Sequence, residues 1–588
     1  MPKVSTVTLS SVLDAREVTL PDFDKQYLDD VSFVTAMTLV MMGNYCQTGH
    51  FGGPLAYTPY TVASHLIGPE LGGLKYDYRR PKHPYSDKFM LAGGHNAPVA
   101  YALWMVLGEA LYQKYQNTGD KKYQADYNQT LLPIDCIGFR RSKQGMRTIL
   151  EQNGLVDHPA MAQAQVRGIR ALAGHSESTD ATNDVNGGPS GIGIATAAGK
   201  ATFWDIIGAS ESPKVMAVEG EFAMTSGHSQ EMKTQAVAQQ VGKRLRVLLS
   251  YNNAGIDAQL IGGVIQPQYE SYRIVDQWTS YGWNVFSVDD ANDMSQVVAA
   301  FKAMEDSDPS DRRPMILIGK TTKGWWPGAE NGQIPGYGNQ ITSFQSHPYT
   351  FAMNSEYFLA LAATFENRFN VKFKGISDGP ILDERERLIQ YKENIDIVMS
   401  VLDKNGLGDW IADRLVKIGE QVKDQIPTRI DTSIDPFMDE RLDYRTLSLE
   451  PQTVTVTNPV SGEQKELEIN MFEKPGVPKG SRRAISEIVK WVNYVTDNRL
   501  VLAAADLADS INVEKGSIWG EFDPVTNPAG GRLRSAIQEA GNVSTAVGLV
   551  SQSASLDPEK HSGVWALSGS YGAFTPLMYL PVRVWSQQ

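Results

Sequence analysis

A chain of 588 residues is too long for a single hydrophobic core and is expected to divide into two or three domains. Its formal net charge of −13 argues against nucleic acid or an anionic membrane as the main partner, and leaves the attraction of any phosphorylated ligand to local cations. Cys46 and Cys136 are the only cysteines, too few for a disulfide framework or a zinc site, so a reducing cytoplasm is the expected setting.

In chain order the sequence alternates helix and strand patterns. Val31 to Gly43 comes nearest to a membrane span, but it is short and contains Ser32 and Thr35, so it reads as a buried helix. Three segments then put a histidine after a glycine: Thr48-Gly49-His50, Gly93-Gly94-His95, which leads into an apolar helix through Tyr101 and Leu103, and Ala173-Gly174-His175. Gly187-Gly188-Pro189-Ser190-Gly191-Ile192-Gly193 opens a helix of small residues. Glycines let a backbone approach a phosphate closely, and the unpaired N–H groups of a helix N-terminus favour an anion.

Lys214 to Val218 fits a buried strand, Gly227 to Gly242 has helical spacing of Met232, Ala236, Val237 and Val241, and Leu245 to Leu249 is the next strand. Ligands of an open parallel sheet sit beyond the carboxyl ends of its strands, where Gly220-Glu221-Phe222 and Asn252-Asn253 both fall. A carboxylate, an amide oxygen and a backbone carbonyl are hard donors suited to Mg2+ or Ca2+ bound to a diphosphate. The metal set is therefore Glu221, Asn252 or Asn253, and Gly255, with Glu219 as the alternative carboxylate. Strands follow at Trp283 to Val288 and Pro314 to Ile318, and such alternation means a parallel sheet covered by helices. From Phe351 to about Gly480 the chain turns charged and helical, with Glu384 to Leu402 amphipathic, and then rich in Pro and Thr. Leu500 to Asp506 is the first clear strand of a further domain. The expected division is 1–350, a connecting region 351–480, and 481–588.

Together these segments resemble the transketolase family of thiamine diphosphate enzymes. Thr48-Gly49-His50-Phe51-Gly52-Gly53-Pro54-Leu55 is similar to the family's Ser-Gly-His-Pro-Gly-Ala-Pro-Leu, Ala92-Gly93-Gly94-His95 to its Ser-Asn-Gly-His, and Ala173-Gly174-His175-Ser176-Glu177 to its Pro-Gly-His-Pro-Glu. The resemblance implies an α/β fold of two thiamine diphosphate-binding domains, each a parallel sheet covered by helices on both faces, joined by a long, partly helical linker. It gives His50, His95 and His175 to the protons and hydroxyls of the substrate. It gives Gly188, Pro189, Ser190, Gly220, Glu221 and Asn253 to the cofactor.

Downstream, Gly531 to Asn542 resembles the family's Gly-Arg…Arg-Glu-x-Gly-Met, with Glu539 in the place of the glutamate that activates the cofactor through its aminopyrimidine ring. Ile537, Ala540, Val543 and Val547 suggest an apolar setting for that carboxyl. Tyr571 and Phe574 fall where the family packs aromatic rings on the pyrimidine. Arg483 and Ser510 match an arginine and a serine that grip the phosphate of a sugar phosphate, a task suited to the planar guanidinium fork. Thr321-Thr322-Lys323-Gly324-Trp325-Trp326 resembles the Thr-x-Lys-Gly-Tyr of pyruvate dehydrogenase-type E1 enzymes, and His347, in the loop beyond, is a candidate to face the cofactor.

The activity implied is transfer of a two-carbon ketol unit from a ketose phosphate to an aldose through a thiamine diphosphate carbanion. The implied assembly is a homodimer with sites between subunits. Glu221-Phe222 departs from the family's Asp-Gly by a methylene and a phenyl ring, and Gln588 falls where a longer second domain is expected, as in a fragment or in a chain whose remainder a second polypeptide carries. Two other readings follow from these features: an E1-like decarboxylating component with a lipoyl-bearing partner, and a non-catalytic scaffold subunit.

Overall fold

The computed structural model describes residues 5–11, 15–21, 23–255, 274–328, 352–478, 480–557, 560 and 562–586. Its main sheet contains β1 (Ser5–Ser11), β2 (Ala15–Leu20), β3 (Lys88–Met90), β4 (Val215–Gly220), β5 (Leu245–Tyr251), β6 (Asn284–Val288) and β7 (Met315–Lys320), in the order β2-β1-β6-β7-β5-β4-β3. The five strands from β6 to β3 run parallel, and β1 pairs antiparallel with both β2 and β6.

The strands read as unbroken apolar runs because both faces of the sheet are covered. Val215 and Ala217 of β4, Val247 and Leu249 of β5, and Ile316 and Ile318 of β7 enter one core with the Gly193–Ile206 helix and with Met232 and Ala236. Their neighbours Met216, Val218, Leu248 and Leu317 enter the other, which the Lys25–Cys46 and Ala97–Thr118 helices fill. Val31 to Gly43 lies inside the first of these helices and is buried on every side, which explains its missing polar face. Among the described residues no helix is long and apolar enough to cross a membrane.

The region read as a connection does more than connect. Its Glu356–Phe369, Glu384–Met399 and Leu407–Gly419 helices put Phe358, Leu388, Ile395, Ile411 and Leu415 into that same core. An antiparallel hairpin of β8 (Gln452–Thr457) and β9 (Gln464–Ile469) follows.

Beyond it, β10 (Leu500–Ala504) and β11 (Trp565–Gly569) pair in parallel, flanked by the Ser481–Val495 and Glu539–Val550 helices. This second sheet therefore has two strands among the described residues, far fewer than the first. The Glu539–Val550 helix packs against the Gly193–Ile206 helix of the first unit at a glycine contact. A Cβ on Gly199 would stand 2.1 Å from the Thr545 carbonyl oxygen, and one on Gly548 2.0 Å from that of Thr196. Only glycine permits the backbones to come so close.

Candidate functional site

Four neighbouring strands deliver the site from their carboxyl ends. β3 leads through Gly93 to His95, β4 ends at Gly220 and turns through Glu221, β5 ends just before Asn252, and β7 ends three residues before Lys323. Their loops enclose a cavity of about 400 Å³ whose wall includes His50, His95, His175, Gly188, Ser190, Gly220, Glu221, Asn252, Gly255 and Lys323. The three histidines meet there, the His50 ring centroid lying 6.1 Å from that of His95 and 5.6 Å from that of His175. Burial, then the charges of His175, Arg140 and Lys323, push His50 down to about 4. Burial and Arg140 also lower His175. Both rings are thus neutral near pH 7, each with one N–H donor and one acceptor nitrogen.

Two carboxyls sit below the histidines. Glu219 and Glu221 are almost wholly buried, and burial pushes each up to about 7. Glu219 accepts a hydrogen bond from the Gly220 N–H at 3.0 Å, while its other oxygen has no partner among the described residues. The same holds for both polar atoms of the Asn96 amide and for the Ser176 hydroxyl. These groups gather on the glycines of the predicted cofactor loops. A Cβ on Gly93 would meet Glu219 at 2.8 Å and Asn96 at 3.1 Å, and one on Gly187 would meet Ser176 at 2.9 Å and the Gly94 Cα at 2.5 Å. Left without even an ordered water, each such buried polar group would cost about 1–3 kcal/mol, and none of the three residues lines the cavity itself. The exposed backbone of Gly188, with nothing within 4 Å of its Cβ position, leaves room for a phosphate to lie against the chain. These features fit a thiamine diphosphate molecule.

The predicted metal donors fit less well. Glu221 and Asn252 both accept the Ala254 N–H, at 3.3 and 3.1 Å, and the Asn253 N–H also serves Glu221. Asn253 itself is held in a left-handed turn, at φ +55°. The Gly255 carbonyl accepts a hydrogen bond from the Lys323 ammonium. The Glu221 carboxylate, the Asn252 amide oxygen and the Gly255 carbonyl thus each already accept a hydrogen bond from this chain. Among the described residues no group of three His, Cys, Asp or Glu side chains is arranged to hold a metal. The Phe222 ring closes against Gly255, 3.0 Å from its Cβ position.

The other predicted residues form a second cluster. Glu539 opens its helix, is 4% exposed, and accepts a hydrogen bond from Ser570 at 2.9 Å, which sets it beside Tyr571 and Phe574. Those two rings lie 6.4 Å apart and are 42% and 45% exposed. Ala540, Val543 and Val547 are buried as expected, but Ile537 precedes the helix and is 77% exposed, so it takes no part in the setting of Glu539. Arg483 and Ser510 are both exposed, and Arg482 donates to the Ser510 carbonyl at 3.2 Å. None of Glu539, Tyr571, Phe574, Arg483 and Ser510 lines the histidine cavity of its own chain. Pro189 is half-buried in the loop between Gly188 and Ser190. His347 lies outside the described residues.

Arg140 is a functional candidate that no motif flags. It donates to the Thr48 hydroxyl at 2.7 Å, packs against Gly174, and so bridges the two histidine loops.

Residues 157–346 match the family described as the transketolase thiamine diphosphate binding domain. The chain is 25% identical over 308 residues to transketolase 1 of Candida albicans, covering 51% of this chain and 36% of that protein. It is 30% identical over 94 residues to transketolase-like protein 2 of Mus musculus, covering 16% of this chain and 14% of that protein. Among solved structures, the transketolase from Leishmania mexicana superposes with a TM-score of 0.58 at 15% identity, over 95% of this chain and 66% of that one. That from Campylobacter jejuni gives 0.56 at 16%, over 96% and 68%. The curated relatives are thus matched over little more than a third of their length at most, and the solved structures show the likeness of fold.

Proposed function

We propose that this transketolase-like chain, with its thiamine diphosphate-binding domain, transfers a two-carbon ketol unit from a ketose phosphate to an aldose acceptor. The observation that carries this reading is the meeting of His50, His95 and His175 in one cavity whose wall includes the buried Glu221. Thiamine diphosphate, when bound, supplies the nucleophilic carbon that breaks and remakes the carbon–carbon bond. The chain's own residues do the rest. Gly188, Pro189, Ser190 and the Gly220–Glu221 turn hold the diphosphate end. Neutral His50 and His175 hold hydroxyl protons of the sugar and pass them on without carrying charge at neutral pH. Arg140 beside them, and the exposed pair Arg483 and Ser510, offer cations and a hydroxyl to the phosphate.

Glu539, with Tyr571 and Phe574, is assigned to the pyrimidine end. Its separation from the cavity within one chain supports a homodimer, in which the second unit of one copy faces the first unit of the other. Its two cysteines are both free, which suits a cytoplasmic setting. The test is ketose phosphate cleavage by the purified chain with thiamine diphosphate and an aldose phosphate. Turnover that falls at least about a hundredfold in His50→Ala is expected, and its absence from the native chain would reject the reading. Lys323 in the cavity wall keeps the E1-like alternative in view, and release of carbon dioxide from pyruvate without ketose turnover would favour it.

A further inference from the structure

The cation expected beside Glu221 has its place taken by a side chain of the protein. Lys323 is 4% exposed, lines the cavity, and donates from its ammonium to the Gly255 carbonyl, the oxygen expected to bind the metal. Its positive charge acts on Glu221, the expected carboxylate ligand. The placement is built in. The Thr321 N–H donates to the Tyr251 carbonyl at 3.1 Å, the Thr322 N–H to Asn292 at 2.8 Å, and the Gly324 N–H to the Gly52 carbonyl at 2.8 Å. The loop is thus pinned on both sides of the lysine.

We propose that the Lys323 ammonium stands in for the divalent cation, so that the cavity takes the diphosphate of its ligand without a metal. This rests on the thiamine diphosphate reading given above. Mg2+ demands about six oxygen ligands near 2.1 Å in octahedral order. Here Glu221, Asn252 and the Gly255 carbonyl each already accept an N–H donor, and the Phe222 ring packs against Gly255. An ammonium has three donors and needs no shell of oxygens; with one spent on Gly255, two are left for phosphate oxygens. The longer arm of Glu221 also gains a reason, since it neutralises a fixed buried cation without having to ligate one.

Binding of inorganic diphosphate and of thiamine diphosphate to the whole chain, followed by calorimetry and by melting temperature in EDTA and in Mg2+, tests the idea. The wild-type chain is expected to bind both equally in the two buffers. Lys323→Met should lose at least about tenfold in affinity in EDTA, the worth of a charge-assisted hydrogen bond, and Lys323→Arg, which keeps the charge, should retain binding and report that the loop still folds. Binding of the wild-type chain that requires Mg2+ would overturn the inference and leave the cofactor reading intact, as would undiminished binding by Lys323→Met in EDTA. No binding in either buffer would overturn both.

Discussion

Glu219 offers the sharpest test of the site's electrostatics, because it is wholly buried, one of its oxygens has no partner among the described residues, and two backbone N–H groups, of Gly220 and Gly191, offset its desolvation only in part. Its carboxyl is raised from 4.5 to about 7. A carboxyl raised in this way stabilises the fold only while it holds its proton. Below pH 4.5 both folded and unfolded chains carry that proton and the stability is complete. Between 4.5 and 7 the unfolded chain gives up its proton first, and once the folded carboxyl ionises at about 7 the whole contribution is gone. At about 1.4 kcal/mol per pH unit, the loss is roughly 3.5 kcal/mol.

Glu219→Gln keeps the shape and removes the titration. Its advantage over the native chain should therefore be about 2 kcal/mol larger at pH 8 than at pH 5, where the window has only begun to open. Urea unfolding of the first cooperative transition at the two pH values measures this, since a chain with two units need not unfold in one step. Any misfit of the new amide is common to both values and cancels in the difference, as does the similar titration of Glu221. Equal effects at pH 5 and pH 8 would refute the burial argument.

Other outcomes follow from the same geometry. Glu539→Gln should cut turnover by about 10²- to 10⁴-fold, the worth of a positioned acid or base, with an unchanged circular dichroism spectrum because Ser570 keeps an acceptor. Gly548→Val should destabilise the chain by roughly 1–3 kcal/mol or more, read as a lower urea midpoint, since its Cβ stands 2.0 Å from the Thr196 carbonyl oxygen. Tyr571→Ser with Phe574→Ser should weaken self-association by about tenfold or more in sedimentation velocity, if those exposed rings anchor the proposed interface.

Much of the first unit is legible in the sequence because its physics is local. A run such as Val215 to Val218 needs only to be apolar on both alternating faces to declare a doubly covered strand. The misreadings concern what a local pattern faces. The stripe of Leu388, Tyr391, Ile395 and Val398 announces a buried helix face but not that its partner is the Lys25–Cys46 helix, so three helices of the first core read as a connection. Ile537 is apolar and two residues from Glu539, but the helix begins at Glu539 and leaves it in solvent. Lys323 and Glu221 come together only because β7 lies beside β5 and β5 beside β4, an order no spacing along the chain reveals.

The separation of the two clusters is itself rigid, which gives the dimer proposal a strict consequence. The Glu539 helix is fixed to the first unit of its own chain by the Gly199 and Gly548 contact, by the Glu231 carboxylate, which accepts the Gly541 N–H at 3.1 Å, and by Gln235 and Gln239, which donate to the Arg534 carbonyl at 3.2 and 3.3 Å. It cannot swing into its own cavity without breaking all of them. If the cavity is completed by a second copy, then Glu221→Ala and Glu539→Gln, each inactive alone, damage opposite halves of the site. A mixed dimer carries one doubly damaged site and one intact site. After unfolding and refolding together in equal amounts, random pairing makes half of the dimers mixed, with one sound site in two, so about a quarter of native activity should return. Mixtures that stay as inactive as their components would show that the two carboxyls do not meet across a two-fold axis, and would leave Glu539 without a role at this cavity.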